Sequence, residues 1–226
     1  NKSSQTLTLG ARALITASVT PFARHVISEV KTISPRIAHR YRISDPQFVR
    51  SMSQLMGPPT LEGNLVTPLH NGAEIFPALL KAIERAERSI TFETFIYTRG
   101  EIAQQFADAL SAKARQGVKV HLLVDGIGCD CVKGSELRQM SDAGVQVEVY
   151  HLSNFARANH RTHRKILVTD GTIGFTGGVG IGDDWKGTAS SPDEWRDSHY
   201  RVEGPVVAQI QAAFLDNWMK TRAIVL

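Results

Sequence analysis

HRKILVTDGTIGFTGGVG, residues 163–180, contains two short apolar and β-branched runs, Ile166–Thr169 and Thr172–Thr176, separated by Asp-Gly. An Asp-Gly pair between two such runs is typical of the tight turn of a β-hairpin. The stretch is therefore predicted to form two antiparallel strands joined by a turn at Asp170 and Gly171.

Basic side chains lie at the start of this hairpin. Alternate residues of a strand share a face, so His163 and Lys165 should project together, whereas Asp170 has the opposite parity. Two basic groups on one side of a half-buried strand require an anionic partner, because an unpaired charge is costly to remove from water. A phosphate group would satisfy both. A solvated strand end is the simpler alternative for His-x-Lys alone.

Composition and charge describe a globular chain with a basic N-terminal arm. The 226 residues are 42% hydrophobic and 21% charged, with a net charge of +4, which is enough apolar material to bury a core. Residues 1–57 hold eight Lys or Arg against two acids, giving +6, and the rest hold eighteen against twenty, giving −2. This asymmetry suits an anionic membrane surface or nucleic acid, or simply a solvated arm.

The sequence contains no run near the ~18 apolar residues that span a bilayer, so no membrane crossing is expected from this chain. Its two cysteines, Cys129 and Cys131, are expected to stay unbridged, because alternate residues of an extended segment point apart. They lack the further ligands of a zinc site, so no metal is expected.

Residues 58–226 alternate between strand and helix patterns and are predicted to form one domain, following the arm of residues 1–57 with its possible helices at 21–33 and 46–56. The predicted class is α/β, a mostly parallel or mixed sheet flanked by helices on both faces. Strands are expected at 63–69, 89–97, 118–124, 145–150, in the hairpin and within 193–203, and helices at 73–88, 101–116, 135–143 and 205–220.

A wider set of motifs identifies a family. The spacing His-x-Lys-x4-Asp, followed by a turn and a Gly-Gly pair, resembles the phospholipase D superfamily and its cardiolipin synthase branch. The resemblance covers about residues 63–226, and its other motifs are Gly63-Asn64, Leu69–Gly72, Glu93–Tyr97, Val124–Gly128, Asn159–Lys165, Trp195–Asp197 and Val202–Pro205.

The resemblance implies a catalytic set of His163, Lys165, Asp170 and Asp197. His163 would attack phosphorus and form a phosphohistidine, while Lys165 would neutralise the non-bridging oxygens, so that no metal or cofactor is required. Asp197 would accept a hydrogen bond from the other ring nitrogen of His163. Asp170 would mainly hold the hairpin in place.

Several residues are candidate substrate contacts. Gly177 and Gly178 would let backbone N–H groups approach an anion. Glu93 and Asp125 end strands at one edge of the sheet, and capping or packing is an equal alternative for both. These candidates are Gly177, Gly178, Thr176, Arg161, Glu93 and Asp125. Trp185 and Trp195, between the hairpin and Asp197, could either meet lipid or belong to the core.

Two departures from the family pattern bear on the site. Gly180 stands where the family usually has an Asn that donates to the phosphate, so the side chain at this position supplies no such donor. The chain also carries one His-x-Lys motif, although members of the superfamily use two. The resemblance therefore implies that residues 58–226 are one catalytic half-domain. The site is expected to be completed by a second half, from another chain or the same gene product, with a symmetric homodimer as the alternative.

The resemblance implies phosphatidyl transfer or hydrolysis on a phosphatidylglycerol-like phospholipid, by a peripheral protein on an anionic membrane in an unknown compartment. The alternative is a homodimeric nuclease or phosphodiesterase acting on nucleic acid, since single-motif dimers of the superfamily include nucleases. A catalytically inactive binding module is the third alternative, because of Gly180.

Overall fold

The computed structural model describes residues 41–129, 134–150, 161–224 and 226. Most of the basic arm, with the helix predicted at 21–33, therefore lies outside the described residues. The helix predicted at 46–56 is confirmed as α1, Pro46–Met56, which buries none of its side chains. Asp45 caps this helix by accepting a hydrogen bond from the backbone N–H of Gln47 at 2.8 Å, and Pro46 suits a first turn because it has no N–H to satisfy.

Residues Met56–Leu226 form one compact unit, in which strands and helices alternate as the sequence predicts. Its elements are β1 (Leu65–His70), α2 (Asn71–Arg85), β2 (Ser89–Thr94), α3 (Glu101–Arg115), β3 (Lys119–Asp125), α4 (Ser135–Asp142), β4 (Gln146–Tyr150), β5 (Ile166–Thr169), β6 (Ile173–Gly177), a 3-10 turn (Asp183–Trp185), β7 (Ser198–Glu203) and α5 (Val207–Arg222).

The strand predicted at 89–97 is shorter than expected and ends at Thr94. After it, Tyr97 forms single bridges to Cys129 and Ile181, and its hydroxyl donates to the carbonyl of Ala103 at 2.8 Å. The apolar run continues past the strand because Tyr97 packs in the core.

The seven strands form one mixed sheet in the order β1-β7-β6-β5-β2-β3-β4. The β2–β3 and β3–β4 pairs are parallel, and the four other pairs, which involve the hairpin and β1, are antiparallel. The predicted α/β class with a mixed sheet is confirmed.

The sheet buries apolar side chains on both faces. On one face, α2, α3 and α4 contribute Phe76, Phe106 and Met140 to a cluster with Phe92 and Leu122 of the strands. On the other, α5 packs Phe214 and Trp218 against Leu123 and Tyr150. Neighbouring strand residues therefore serve opposite faces, as the pleat requires.

The hairpin places its basic start at the sheet edge where other strands end. Because β5 runs antiparallel to β2, Ile166 at the start of β5 pairs with Glu93 near the end of β2. The predicted turn is present, with φ values of +53° at Asp170 and +68° at Gly171, which suits a tight hairpin turn and requires a residue tolerant of the left-handed region. His163 thus lies beyond the carboxyl ends of β2 and β3.

Cys129 is disulfide-bonded, and the prediction that the cysteines stay unbridged was wrong. It assumed an extended segment, whereas Cys129 directly follows a turn at residues 126–128.

In the described ranges, no helix is both long enough and apolar enough to span a bilayer.

Candidate active site

The predicted pair of basic side chains meets at the start of β5. The Lys165 Nζ lies 3.3 Å from both ring nitrogens of His163 and 3.1 Å from its carbonyl oxygen. The ring of Phe95 lies beneath both, with its centroid 4.7 Å from that of the His163 ring and 5.4 Å from Nζ. The imidazole is exposed while Lys165 is only 7% exposed, so the ammonium contacts the ring from its buried side.

Burial lowers the pKa of Lys165 below its usual value, and the negative charge of Asp197 partly opposes this. Because a desolvated ammonium is costly unless negative charge is close to it, an anion entering the cavity would improve its environment. This is the electrostatic arrangement expected of a site for a phosphate group.

Asp197 shares a cavity of about 540 Å³ with the basic pair. The cavity is lined by Ile96, His163, Lys165, Gly178, Trp185, Glu194, Trp195, Arg196 and Asp197. The predicted hydrogen bond between Asp197 and His163 is not formed in the structure. The carboxylate instead accepts from the Trp185 indole N–H at 3.2 Å and from the backbone N–H of Ser198 at 2.7 Å, which fix its orientation.

Gly178 serves a different purpose from the one predicted, while anion contact at Gly177 stays a prediction. The N–H of Gly178 donates to the carbonyl of Ser198 at 3.1 Å, so the expectation that it is free for an anion was wrong. A Cβ at Gly178 would lie 2.1 Å from the Asp197 Oδ1. The glycine is required because the carboxylate occupies the space of a side chain.

Two other candidates have exposed side chains. Thr176 is exposed and lines a second cavity of about 370 Å³ with His163 and Lys165. Arg161 is also exposed. Contact of either side chain with a substrate stays a prediction.

Glu93 and Asp125 point into the protein rather than into the cavity. Glu93 is fully buried and accepts a hydrogen bond from the Asn217 amide at 2.7 Å. Burial raises its pKa, although hydrogen bonds from Thr162 and Asn217 work against the increase. Asp125 accepts from the backbone N–H groups of Ile127 and Gly128 at 2.9 and 3.2 Å. The structure therefore favours the alternative of capping and packing over substrate contact.

Asp170 lies at the opposite end of β5 from His163, roughly 20 Å away at the usual rise of a strand. Its carboxylate accepts from the backbone N–H groups of Glu87, Arg88 and Ser89 at 2.8–2.9 Å. Burial alone would raise the pKa of Asp170, but these donors lower it. The structure thus gives Asp170 the predicted role of holding the hairpin, and no place in the cavity.

We expect Asp170→Ala to reduce the free energy of unfolding by about 1–2 kcal/mol, because three backbone donors lose their acceptor. Turnover measured at denaturant concentrations well below the unfolding midpoint, where the variant is folded, should stay close to that of the parent protein. Denaturant unfolding and initial rates test both statements, with the exposed Asp142→Ala as the control that changes neither. A large loss of turnover without a loss of stability would instead give Asp170 a direct part in the chemistry.

The sequence pattern missed His199. Its backbone pairs with Gly177, and its Nδ1 is buried without a hydrogen-bond partner within the described ranges. Burial lowers its pKa to about 4; Asp197 opposes this and Lys165 reinforces it. The alternation Asp197-x-His199 at the start of a strand was the available signal, since it places both residues on one side.

Trp185 belongs to the core, as one of the two alternatives predicted, and lipid contact by the exposed Trp195 stays a prediction. Trp185 is buried and its indole holds Asp197, whereas Trp195 is 51% exposed, with the two rings 4.8 Å apart. The buried Trp185 also limits position 180, where a Cβ would lie 2.7 Å from the Ile96 Cβ and 3.2 Å from the Trp185 ring. An Asn side chain at Gly180 would therefore require this packing to shift.

Comparison with known proteins identifies the family of this chain. Residues 79–214 match the family described as cardiolipin synthase, PLD-like domain. Cardiolipin synthase 1 of Bacillus cereus is 36% identical over 167 residues, 72% of this chain and 33% of that protein. Cardiolipin synthase A of Pseudomonas fluorescens is 37% identical over 174 residues, 75% of this chain and 36% of that protein. The chain spans about a third of the length of the curated relatives it matches.

Solved structures share the fold. Nuc of Salmonella typhimurium, a phospholipase D family member, aligns with a TM-score of 0.56 and 17% identity over 71% of this chain and 97% of that one. NucT of Helicobacter pylori aligns with a TM-score of 0.56 and 14% identity over 70% and 98%. The fold is therefore that of the phospholipase D proteins. By its sequence matches, the chain belongs to the cardiolipin synthase, PLD-like domain family.

Proposed function

We propose that the protein carrying this chain transfers a phosphatidyl group between alcohols on a phosphatidylglycerol-like lipid. The observation that carries the proposal is the exposed His163 ring held 3.3 Å from a buried Lys165 ammonium in a cavity shared with Asp197. Membership of the cardiolipin synthase family supplies the substrate class.

The chemistry follows from these groups. A ring nitrogen of neutral His163 attacks phosphorus, an N–P bond forms, and the bond from phosphorus to the leaving alkoxide breaks. Lys165 holds the negative charge on the non-bridging oxygens as it develops. A histidine from a second motif protonates the leaving alkoxide and then takes the proton of the acceptor alcohol, which displaces His163.

That second histidine belongs to another half. This chain has a single His-x-Lys, so we place the completing motif in another chain or elsewhere in the same gene product, with a symmetric homodimer as the alternative. The matched part makes up only about a third of each relative, which leaves room for a second half in proteins of their size.

We further propose a peripheral position on an anionic membrane. Trp195 supports this, because it is half exposed at the rim of the cavity and indole side chains favour the lipid–water interface. The basic arm predicted to add electrostatic attraction lies largely outside the described residues.

The test uses the purified protein with phosphatidylglycerol vesicles. We expect cardiolipin and glycerol as products, and the rate should persist in a strong chelator because Lys165 carries the charge neutralisation. Phosphatidic acid as the sole lipid product would indicate hydrolysis instead of transfer. Cleavage of single-stranded DNA with intact lipid would overturn the proposal in favour of the nuclease alternative, and loss of activity in chelator, restored by a divalent ion, would overturn its metal-free form.

A further inference from the structure

We propose that Thr162 is a positioning residue for His163, anchored by a buried polar cluster of Glu93, Asp125 and Asn217. The proposal rests on the proposed function, because it assumes that His163 is the reacting group. It assigns the two buried acids a role that does not involve substrate.

Thr162 is a buried residue between two exposed ones. It is 3% exposed, while Arg161 and His163 on either side are both exposed. The inward side chain therefore anchors the chain directly before His163.

Hydrogen bonds to three different elements hold this residue. Its backbone N–H donates to the Asp125 Oδ2 at the end of β3, at 3.0 Å. Its hydroxyl donates to the Glu93 Oε1 on β2, and accepts from the Asn217 Nδ2 of α5 at 3.1 Å. Both the main chain and the side chain of Thr162 are therefore fixed.

The cluster is buried and connected by hydrogen bonds. Asn217 also donates to Glu93 at 2.7 Å, and all four residues are buried. A buried hydrogen-bonded network has a narrow range of geometries, because each lost bond leaves an unsatisfied polar group in a medium of low dielectric constant. Glu93 already has one such atom, Oε2, without a partner within the described ranges.

Rigidity at Thr162 is transmitted to the next residue through the backbone. The His163 side chain contacts Lys165 and the Phe95 ring, but neither contact fixes the peptide that precedes it. The bonds of Thr162 supply that constraint. A nucleophile misplaced by about 1 Å can lose roughly 10²-fold in rate, so a small rearrangement here should be visible in turnover.

The experiment compares Thr162→Val with Thr162→Ser and with Thr91→Val. Thr91 is a matched control: it is 5% exposed, and its hydroxyl donates to the Gln211 Oε1 at 2.9 Å, on β2 away from the cavity. Both valine variants remove one buried hydroxyl and should lower the melting temperature similarly. Only Thr162→Val should lower kcat, by about 10–100-fold, with little change in KM. Thr162→Ser, which keeps the hydroxyl, should restore most of the rate.

A second measurement does not depend on the reaction. With ¹⁵N-labelled histidine, the ring signals of His163, assigned from His163→Asn, should shift or broaden in Thr162→Val and remain unchanged in Thr91→Val. If the parent protein has no lipid activity, the proposed function fails while this measurement still decides the positioning role. Equal kcat values for the two valine variants, an inactive Thr162→Ser, or unaltered His163 signals in Thr162→Val would each overturn it.

Discussion

Replacing His163 with alanine should lower phosphodiester turnover by at least about 10³-fold, because the covalent intermediate loses the atom to which phosphorus bonds. The fold should be retained, since the side chain is exposed and its removal leaves no cavity in the core. The residual rate should come from binding and from charge stabilisation by Lys165.

Acid quenching during turnover, followed by mass spectrometry of the digested protein, provides the direct measurement. A phosphorylated or phosphatidylated histidine should map to position 163 and disappear in His163→Ala. The matched control is His70→Ala, which removes an imidazole exposed at the end of β1, and the adduct should remain. An adduct that survives in His163→Ala, or that forms only on the completing half, would reverse the roles of the two histidines.

The sequence predicted the hairpin and its basic pair because both depend on local rules. Asp-Gly between two β-branched runs defines the turn, and strand parity brings His163 and Lys165 to the same side. The same parity correctly separated Asp170 from the pair. The residues involved are close in sequence, so the hairpin and the direction of its side chains depend little on long-range packing.

The inner structure of the site could not be predicted in this way. Gly177-Gly178 has the composition of an anion-binding turn, but its N–H at 178 is used by Ser198, twenty residues further along the chain. Likewise, the position of Glu93 and Asp125 at strand ends fits a cavity wall as well as a buried anchor. Only the packing of Thr162 and α5 over the strand ends distinguishes the two.

Trp185 shows how these long-range contacts act together. Its indole holds Asp197, its ring fills the space next to Gly180, and Gly178 gives the carboxylate room. Gly178 and Gly180 thus leave the space that the Asp197 carboxylate and the Trp185 ring occupy. The Gly at position 180 is consistent with this local packing, whatever its effect on substrate contact.

Replacing Lys165 with methionine should separate stability from activity. The substitution keeps the length and the apolar contacts of the stem but removes the charge, so the loss of charge stabilisation should lower kcat by about 10²–10³-fold. Because burial lowers the pKa of Lys165, the unfolded chain binds its proton more tightly than the folded protein, and the charged form costs stability at neutral pH. Removing that charge should leave the melting temperature unchanged or raise it.

The pH dependence provides the decisive control for this prediction. The stability advantage of Lys165→Met should narrow as the pH rises through the lowered pKa of the folded protein towards the ordinary lysine value, because the parent then loses the buried charge as well. Lys186→Met, which removes an exposed ammonium paired with Glu101, should show neither the kinetic loss nor this narrowing. If Lys165→Met is strongly destabilised and only mildly impaired in kcat, the ammonium is a structural partner of Asp197 and the phosphate charge must be held elsewhere.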